Sequence, residues 1–222
     1  DTFVSELFNS AKTFSSVLME AKFPRSFVDL NRSHLELDPN IITGNFYFEK
    51  TARNMAGLGV IPRFSGNGKE IYTKPITIED AQKRLEYFYF PYHQFLKYLI
   101  LESQKRLGYT VLFDCHSMPS KLNMENKNSN KNSNSDIILG DANGTSCSPF
   151  ITEKVKKIFE NYNFFVTKNH PFSGGFITKN YGDPDNNIHV IQIEINKKLY
   201  MDETSIQKNV NFENFRKKLI LI

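Results

Sequence analysis

The segment Asp114-Cys115-His116-Ser117 brings a carboxylate, a thiol, an imidazole and a hydroxyl together at one point of the chain. Histidine is the commonest metal ligand among side chains and the one that most readily gives and takes a proton near neutral pH. An aspartate two residues away could orient the imidazole. The segment is therefore a candidate for metal binding or acid–base chemistry. Two other interpretations of His116 agree equally well with the sequence. It could be a core histidine bonded to a backbone carbonyl, or an exposed loop histidine.

The residues before this segment predict that it ends a buried strand. Residues 109–113 are β-branched, aromatic or aliphatic, and Gly108 and Pro119 bound the stretch. Open α/β sheets bind their ligands beyond the carboxyl ends of the strands. We therefore expect Asp114 and His116 at the ligand-binding edge of such a sheet.

Glu194 is the second residue that the pattern singles out. Side chains alternate between faces along the predicted strand 189–195, so Glu194 shares one face with Gln192 while three isoleucines share the other. A carboxylate on a strand that is covered on both faces is costly unless it is paired or functional. An edge strand with one hydrated face is the alternative.

Arginines follow two other stretches of the chain. Asn31-Arg32 comes directly after residues 26–30, which we predict to be a short strand, and Arg63 lies in Ile-Pro-Arg. The planar fork of arginine suits a carboxylate. An ordinary surface ion pair fits Arg32 equally well, and Arg63 has the weaker claim.

The segment Asn169-His-Pro-Phe-Ser-Gly-Gly175 is a turn whose glycines permit unusual backbone geometry or close approach to a ligand. It does not match a phosphate-binding loop, and we interpret His170 as structural or exposed. None of the five histidines is followed by Glu three residues on. A local zinc motif is therefore missing, and a metal site would have to be assembled from distant segments.

Composition limits the class of protein. A chain of 222 residues, 40% of them hydrophobic, fits one domain with a sizeable core. The net charge of +4 is dispersed, which argues against nucleic-acid binding, and no apolar run approaches the roughly 18 residues of a membrane span. Two cysteines form no disulfide framework, so we expect reduced thiols and a cytoplasmic protein.

Helical and strand periods alternate along the chain and predict an α/β fold with a largely parallel or mixed sheet. We interpret 33–76 as irregular and 121–135 as a low-complexity, solvated loop. Thr77 is the expected N-cap of a helical stretch that Pro91 interrupts. The predicted helices are 4–21, 78–106, 148–161 and 211–221, and the further predicted strands are 136–139, 164–166 and 189–195.

Taken in order, these segments resemble the N-formylglutamate amidohydrolase family over nearly the whole chain. The motifs that carry the resemblance are Val28-Asp-Leu-Asn-Arg32, residues 57–63, Pro91-Tyr-His93, Asp114-Cys-His-Ser117, Asp136-Ile-Ile-Leu-Gly-Asp141, Gly144-Thr-Ser-Cys147, Asn169-His-Pro-Phe-Ser-Gly-Gly175, Tyr181-Gly182, Gln192-Ile-Glu-Ile-Asn196 and Leu199-Tyr-Met-Asp-Glu203.

The resemblance implies a fold similar to zinc carboxypeptidases and aspartoacylase: a single α/β domain over 1–222, with a mixed twisted sheet flanked by helices on both sides. It implies zinc-dependent hydrolysis of a small anionic N-acyl amino acid. The specific expectation is N-formyl-L-glutamate, which gives formate and L-glutamate in histidine degradation. We expect a monomer or weak homo-oligomer that binds neither nucleic acid nor membrane.

The same resemblance implies roles for individual residues. His116 would be a zinc ligand, Asp1 would align with an acidic residue that supplies another, and Glu194 would be the general base and acid. Arg63 would polarise the scissile carbonyl or clamp a second carboxylate. The substrate-binding residues implied are Asn31, Arg32, Asn169, Gly174, Gly175 and Lys179. Lys179 stands where relatives often have arginine, which weakens a bidentate carboxylate contact.

Relatives carry a further zinc-ligating histidine in a Pro-His-Ser/Ala-Gly type segment upstream of this chain's first residue. If 222 residues were the whole protein, a three-ligand catalytic site could not form as it does in relatives. Either upstream residues are absent from this sequence, or the protein is a poorly active or inactive member of the family. Two alternatives to hydrolysis of N-formyl-L-glutamate also stand. One is a zinc-free, inactive relative that binds a carboxylate ligand, and the other is a hydrolase of a different N-acyl amino acid or short peptide.

Overall fold

The computed structural model describes residues 1–66, 68–121 and 135–222, so nearly all of the predicted loop at 121–135 lies outside the described residues. The described chain divides into two compact units. The first comprises residues 1–20 and 104–222, and the second comprises residues 21–103.

The helices and strands of the described chain range from two to 18 residues in length. The helices are α1 (Val4–Leu7), α2 (Ala52–Met55), α3 (Ile78–Arg84), α4 (Phe90–Leu107), α5 (Pro149–Asn161), α6 (Phe176–Tyr181) and α7 (Phe212–Leu221). The strands are β1 (Ile42–Thr43), β2 (Ile76–Thr77), β3 (Thr110–Met118), β4 (Ile137–Gly140), β5 (Val166–Lys168), β6 (Ile188–Asn196), β7 (Met201–Asp202) and β8 (Gln207–Lys208). Within the described ranges, no helix is both long and apolar enough to cross a membrane.

The first unit is built on a four-stranded sheet in the order β3-β6-β4-β5. Strand β6 runs parallel to β3 and antiparallel to β4, and β4 runs parallel to β5. The prediction of a mixed α/β fold is thus confirmed. Because β6 has a neighbour on each side and is buried from His189 to Asn196, the edge-strand alternative for Glu194 is excluded.

One face of β6 forms the core of this unit. Ile191, Ile193 and Ile195 pack with the aromatic rings of Tyr200 and Phe215, which stack with centroids 6.2 Å apart. The buried Tyr200 hydroxyl donates a hydrogen bond to the Thr2 carbonyl at 3.1 Å. Burial raises the pKa of Tyr200 to about 12, so the phenol stays neutral and keeps this bond.

Strand β3 is longer than the sequence predicts. It continues through Asp114 and His116 to Met118, because it pairs with β6 over all nine residues. The candidate residues therefore lie within a strand, not beyond its end. The prediction that the strand stops at Asp114 was wrong. Polar residues on one face do not end a strand when the neighbouring strand continues to pair with it.

The long first helix was also wrongly predicted. The structure has only α1 followed by a 3-10 segment, Asn9–Phe14. The apolar side chains of Phe14 and Val17 are mostly exposed, at 62% and 71%. Helical periodicity alone does not hold a helix in water without a packing partner.

Residues 26–30 form no strand, contrary to prediction. Val28, Asp29 and Leu30 are all buried, and the Asp29 N–H donates to the Val60 carbonyl at 2.7 Å. An apolar segment that is buried without pairing in a sheet has the same types of residue as a buried strand. The strand expected at 164–166 begins instead at Val166.

The helical region of the second unit follows its predicted course. The Thr77 hydroxyl accepts a hydrogen bond from the Asp80 N–H at 3.2 Å and caps α3. A π-helical turn, Leu85–Tyr89, separates α3 from α4 just before Pro91. Proline has no N–H for the preceding turn, and a wider turn accommodates it.

We expect Ile191→Ala to lower the free energy of unfolding by about 2–5 kcal/mol, because it opens a cavity in a fully buried position. Val210→Ala also removes methyl groups, but from a side chain that is 98% exposed, and should stay within about 0.5 kcal/mol of wild type. Urea denaturation measures both. Similar losses in the two variants would contradict this description of the core.

Candidate active site

The parallel register of β3 and β6 gathers four polar side chains on one face of the sheet. Asp114 lies opposite Gln192 and His116 lies opposite Glu194. Because side chains two residues apart share a face, all four project from the same side. The structure thus brings together His116 and Glu194, which are far apart in sequence.

His116 lies between two carboxylates. Its Nδ1 is 3.1 Å from Oδ2 of Asp1, and its Nε2 is 2.9 Å from Oδ1 of Asp114. The Ser117 N–H donates to the other oxygen of Asp1 at 2.9 Å and so fixes that carboxylate. Asp114 occupies the place of a partner that orients the ring, as the sequence suggested.

The pair His116 and Asp1 fits part of a zinc site. A neutral imidazole has one N–H, so it donates to one carboxylate and turns a lone pair toward the other. A protonated imidazole would donate to both carboxylates, and a cation between Nδ1 and Asp1 would satisfy a neutral one. Two ligands roughly 2.1 Å from a tetrahedral zinc lie roughly 3.4 Å apart, close to the observed separation. Among the residues that the structure describes, no group of three or more His, Cys, Asp or Glu is arranged to hold a metal.

Glu194 is buried and hydrogen-bonded. One of its oxygens accepts a hydrogen bond from the side-chain amide of Gln192 at 2.7 Å. The amide oxygen of Gln192 in turn accepts from the Gly175 N–H at 2.7 Å. A buried carboxylate with a donor of this kind is held in place.

The loop at 169–175 is held in place by the Asn169 side chain and presents the Gly175 N–H to Gln192. The Asn169 side chain bonds the Asp141 carboxylate and the Asp141 N–H, at 2.7 and 3.0 Å. Gly174 has a left-handed backbone, with φ of 118°, and Gly175 caps α6. Lys179 lies exposed on α6. The loop is therefore fixed by side chains that bond its own neighbourhood.

In the second unit, the guanidinium of Arg32 donates hydrogen bonds to nearby backbone carbonyls. Its Nε donates to the Leu58 carbonyl at 3.0 Å and one terminal nitrogen donates to the Asn31 carbonyl at 2.8 Å. Asp29 lies beneath it. Burial disfavours the charge on Asp29, but Arg25 and Arg32 outweigh that effect and lower its pKa. The fork of Arg32 is thus held at two nitrogens by carbonyls, and its other terminal nitrogen lies 3.9 Å from Oδ2 of Asp29.

Arg63 is held by a buried carboxylate that the sequence did not point out. Its Nε donates to Asp38 at 2.9 Å, and Asp38 is fully buried. The guanidinium also lies over the Phe64 ring, 4.6 Å from its centroid. Its two terminal nitrogens have no hydrogen-bond partner in the part of the chain that the structure describes. This is the geometry of an anchored fork that can still receive an anion.

His93 secures the segment that carries Asn31 and Arg32. Its Nε2 donates to the Leu30 carbonyl at 3.0 Å, and its ring packs on Tyr89 with centroids 4.2 Å apart. The Tyr89 hydroxyl donates to the Arg32 carbonyl at 2.7 Å. The Pro91-Tyr-His93 motif is therefore a support for the arginine loop in this unit.

A model of the N-formylglutamate amidohydrolase family matches residues 1–201. The chain belongs to this family. An N-formylglutamate deformylase of Pseudomonas putida is 28% identical over 207 residues, which cover 92% of this chain and 71% of that protein. A second one, from Pseudomonas aeruginosa, is 26% identical over 91% of this chain and 71% of its own.

One solved structure agrees with the family assignment, and a second shares only the fold. The N-formylglutamate amidohydrolase of Ralstonia eutropha has a TM-score of 0.92 at 27% identity, covering 99% of this chain and 79% of that one. A gene product of Agrobacterium tumefaciens, at 16% identity, has a TM-score of 0.63 over 97% of this chain and shares the fold.

We predict that the two halves of the Arg63–Asp38 pair differ in their effect on stability. Arg63→Met leaves a buried carboxylate without its cation and should cost about 3–5 kcal/mol of unfolding free energy. Asp38→Asn leaves a guanidinium that is 22% exposed and can reach water, so it should cost about 1–3 kcal/mol. Urea denaturation of both variants measures the difference. Equal costs, or the reverse order, would contradict the anchoring of Arg63.

His93 predicts a pH dependence. Burial lowers its pKa to about 4, with the bond to Leu30 opposing and His34 assisting, whereas an unfolded histidine titrates near 6.5. Between these values the unfolded chain binds more protons. The free energy of unfolding should therefore rise from pH 4 to 6.5, by at most about 3 kcal/mol.

The variant His93→Gln keeps a donor for the Leu30 carbonyl but does not titrate. Its pH dependence of stability should be flatter than that of wild type in this range. The matched control His170→Gln changes an exposed histidine and should keep the wild-type slope. Denaturation curves at pH 4, 5, 6 and 7 measure the free energy of unfolding of each variant. If its pH dependence is unaltered in His93→Gln, His93 is not the group responsible.

Proposed function

We propose that this protein hydrolyses N-formyl-L-glutamate to formate and L-glutamate with the help of zinc. The family and the names of the Pseudomonas relatives support amide hydrolysis of this substrate. The observation that carries the proposal is the register of β3 and β6, which pairs His116 with Glu194. An imidazole that faces one carboxylate at each nitrogen, beside a buried Glu, suits metal-assisted hydrolysis.

Nδ1 of His116 and the carboxylate of Asp1 are the donors we assign to the zinc. When bound, zinc would lower the pKa of a coordinated water and polarise the formyl carbonyl. Asp114 holds the imidazole in orientation through Nε2. Ser117 holds Asp1 through its backbone N–H. These four residues therefore form two donors and their two supports.

Glu194 is the proposed general base and acid. Its carboxylate would take a proton as water adds to the formyl carbon, and would deliver that proton to the amine nitrogen as the C–N bond breaks. The charged form is needed for the first step. The hydrogen bond from Gln192 favours that form in a buried position.

For the second unit taken by itself, we propose residues that recognise carboxylates. Arg63, with its open terminal nitrogens, would bind a carboxylate. Asn31 and Arg32 would bind a further carboxylate. In the first unit, Gly174 and Gly175 would approach substrate with backbone atoms, and Lys179 would add a positive charge, while Asn169 shapes their loop.

We further propose a cytoplasmic enzyme that acts as a monomer or weak homo-oligomer on a small anionic substrate. Both cysteines are free thiols, and burial raises the pKa of Cys115 and of Cys147. Protonated thiols of this kind are inert and suit a reducing compartment.

Glu194→Gln is the sharpest test of the mechanism. The variant can still accept a hydrogen bond from Gln192 but has lost the basic oxygen, so formate release should fall by on the order of 10²–10⁴-fold. Zinc content should remain at about one ion per chain, measured by elemental analysis. The control Glu153→Gln alters an exposed carboxylate on α5 and should retain wild-type turnover.

Turnover by Glu194→Gln at the wild-type rate would exclude the assigned role. Comparing N-formyl-L-glutamate with N-formyl-L-glutamine tests recognition of the second carboxylate, and the glutamine analogue should have a much lower kcat/KM. A protein that contains no zinc and binds N-formyl-L-glutamate without releasing formate would instead support a non-catalytic carboxylate-binding protein.

A further inference from the structure

We propose that Gln192 is a positioning residue for Glu194, and that the Gly175 N–H sets the direction in which its carboxamide faces. The inference rests on the general-base role proposed above for Glu194. It assigns to the loop at 169–175 a function in catalysis in addition to contact with substrate.

Three groups form a chain of two hydrogen bonds. The Gly175 N–H donates to Oε1 of Gln192 at 2.7 Å, and Nε2 of Gln192 donates to Oε1 of Glu194 at 2.7 Å. Gln192 and Glu194 are buried, at 5% and 8% exposure. The bond between Gln192 and Glu194 is thus shielded from competing water, and the bond from the half-buried Gly175 is partly shielded, which makes both stronger than the same bonds at a surface.

The chemistry of the two ends determines the direction of the chain. A backbone N–H only donates, so the oxygen of the Gln192 amide must face Gly175. The amide nitrogen must then face Glu194. An ionised carboxylate only accepts, so this arrangement fits charged Glu194. A flipped amide would place donor against donor at Gly175 and acceptor against acceptor at Glu194.

An amide is the group that this position requires. A carboxylate at 192 would accept from Gly175 but repel Glu194, and an ammonium would donate to Glu194 but oppose the Gly175 N–H. A shorter amide would not span two bonds of 2.7 Å from the same Cα position. Glutamine combines both functions, and it fixes one oxygen of a side chain whose terminal torsion is otherwise loosely defined.

The glycine loop is built to aim this N–H. Gly174 has a left-handed backbone, and a Cβ there would lie 2.7 Å from the Thr178 side chain. The Cβ of a residue in place of Gly140 would lie 2.7 Å from the Gly174 nitrogen. Strand β4, this loop and α6 are therefore in close contact, and the Gly175 N–H has little freedom to turn away from Gln192.

Gln192→Met tests the proposal, because methionine has a similar length and forms neither bond. In formate release from N-formyl-L-glutamate, kcat should fall at least 10-fold while KM changes less than 3-fold, since the variant alters Glu194 and leaves the arginines intact. Amide hydrogen exchange at Gly175 should accelerate at least 10-fold. The control Ser146→Ala removes another buried hydrogen bond to β6, that of the Ser146 hydroxyl to the Val190 carbonyl, and should change thermal stability without changing kcat.

If Gln192→Met does not fold, a second measurement tests the same proposal. In wild type, the side-chain amide protons of Gln192 should exchange slowly by NMR, and Glu194→Ala should accelerate them at least 10-fold. Fast exchange of these protons in wild type would overturn the proposal. So would an unchanged kcat in Gln192→Met, and in that case hydrolysis by wild type would leave the proposed function standing. Failure of wild type to release any formate would overturn the function and the positioning role together.

Discussion

The parallel pairing of β3 with β6 is the constraint on which the candidate site depends. Side chains alternate along a strand, so a shift of the register by one residue would send one polar set to the opposite face. In the observed register Asp114 faces Gln192 and His116 faces Glu194 across the ladder. The apolar face of β6 maintains that register, because slippage would move three isoleucines out of the apolar core and turn polar side chains into it.

The polar face is tolerable in a buried sheet because each group meets one of complementary chemistry. His116 has a carboxylate at each ring nitrogen, Glu194 has an amide donor, and Gln192 has a backbone donor at its other end. A single unpaired member would carry the full cost of desolvation. The same contacts that make burial possible also fix the orientation of the reactive groups, so stability and positioning have one origin here.

The sequence predicted what local patterns determine. The alternation of apolar and polar residues identified the two faces of β6. Thr77 and Asp80, three residues apart, predicted the N-cap of α3. The order of the motifs indicated the family. The sequence did not predict what depends on a distant partner. The first helix and the strand at 26–30 had the right periods without a neighbour to complete them, and β3 runs on because β6 does. Asp38 anchors Arg63 from 25 residues away, inside a region with no period at all.

Arg63 and Glu194 are held according to a common principle. Each accepts or donates a hydrogen bond with a buried polar side chain, Asp38 for the guanidinium and Gln192 for the carboxylate, and that side chain is itself held by further hydrogen bonds from Asn40 and Gly175. A side chain fixed in this way loses less conformational freedom when it meets a ligand, and its dipoles need little reorganisation. Such supports are hard to recognise from sequence, because an aspartate or glutamine has no motif of its own. They become visible only when the atom that each one bonds is known.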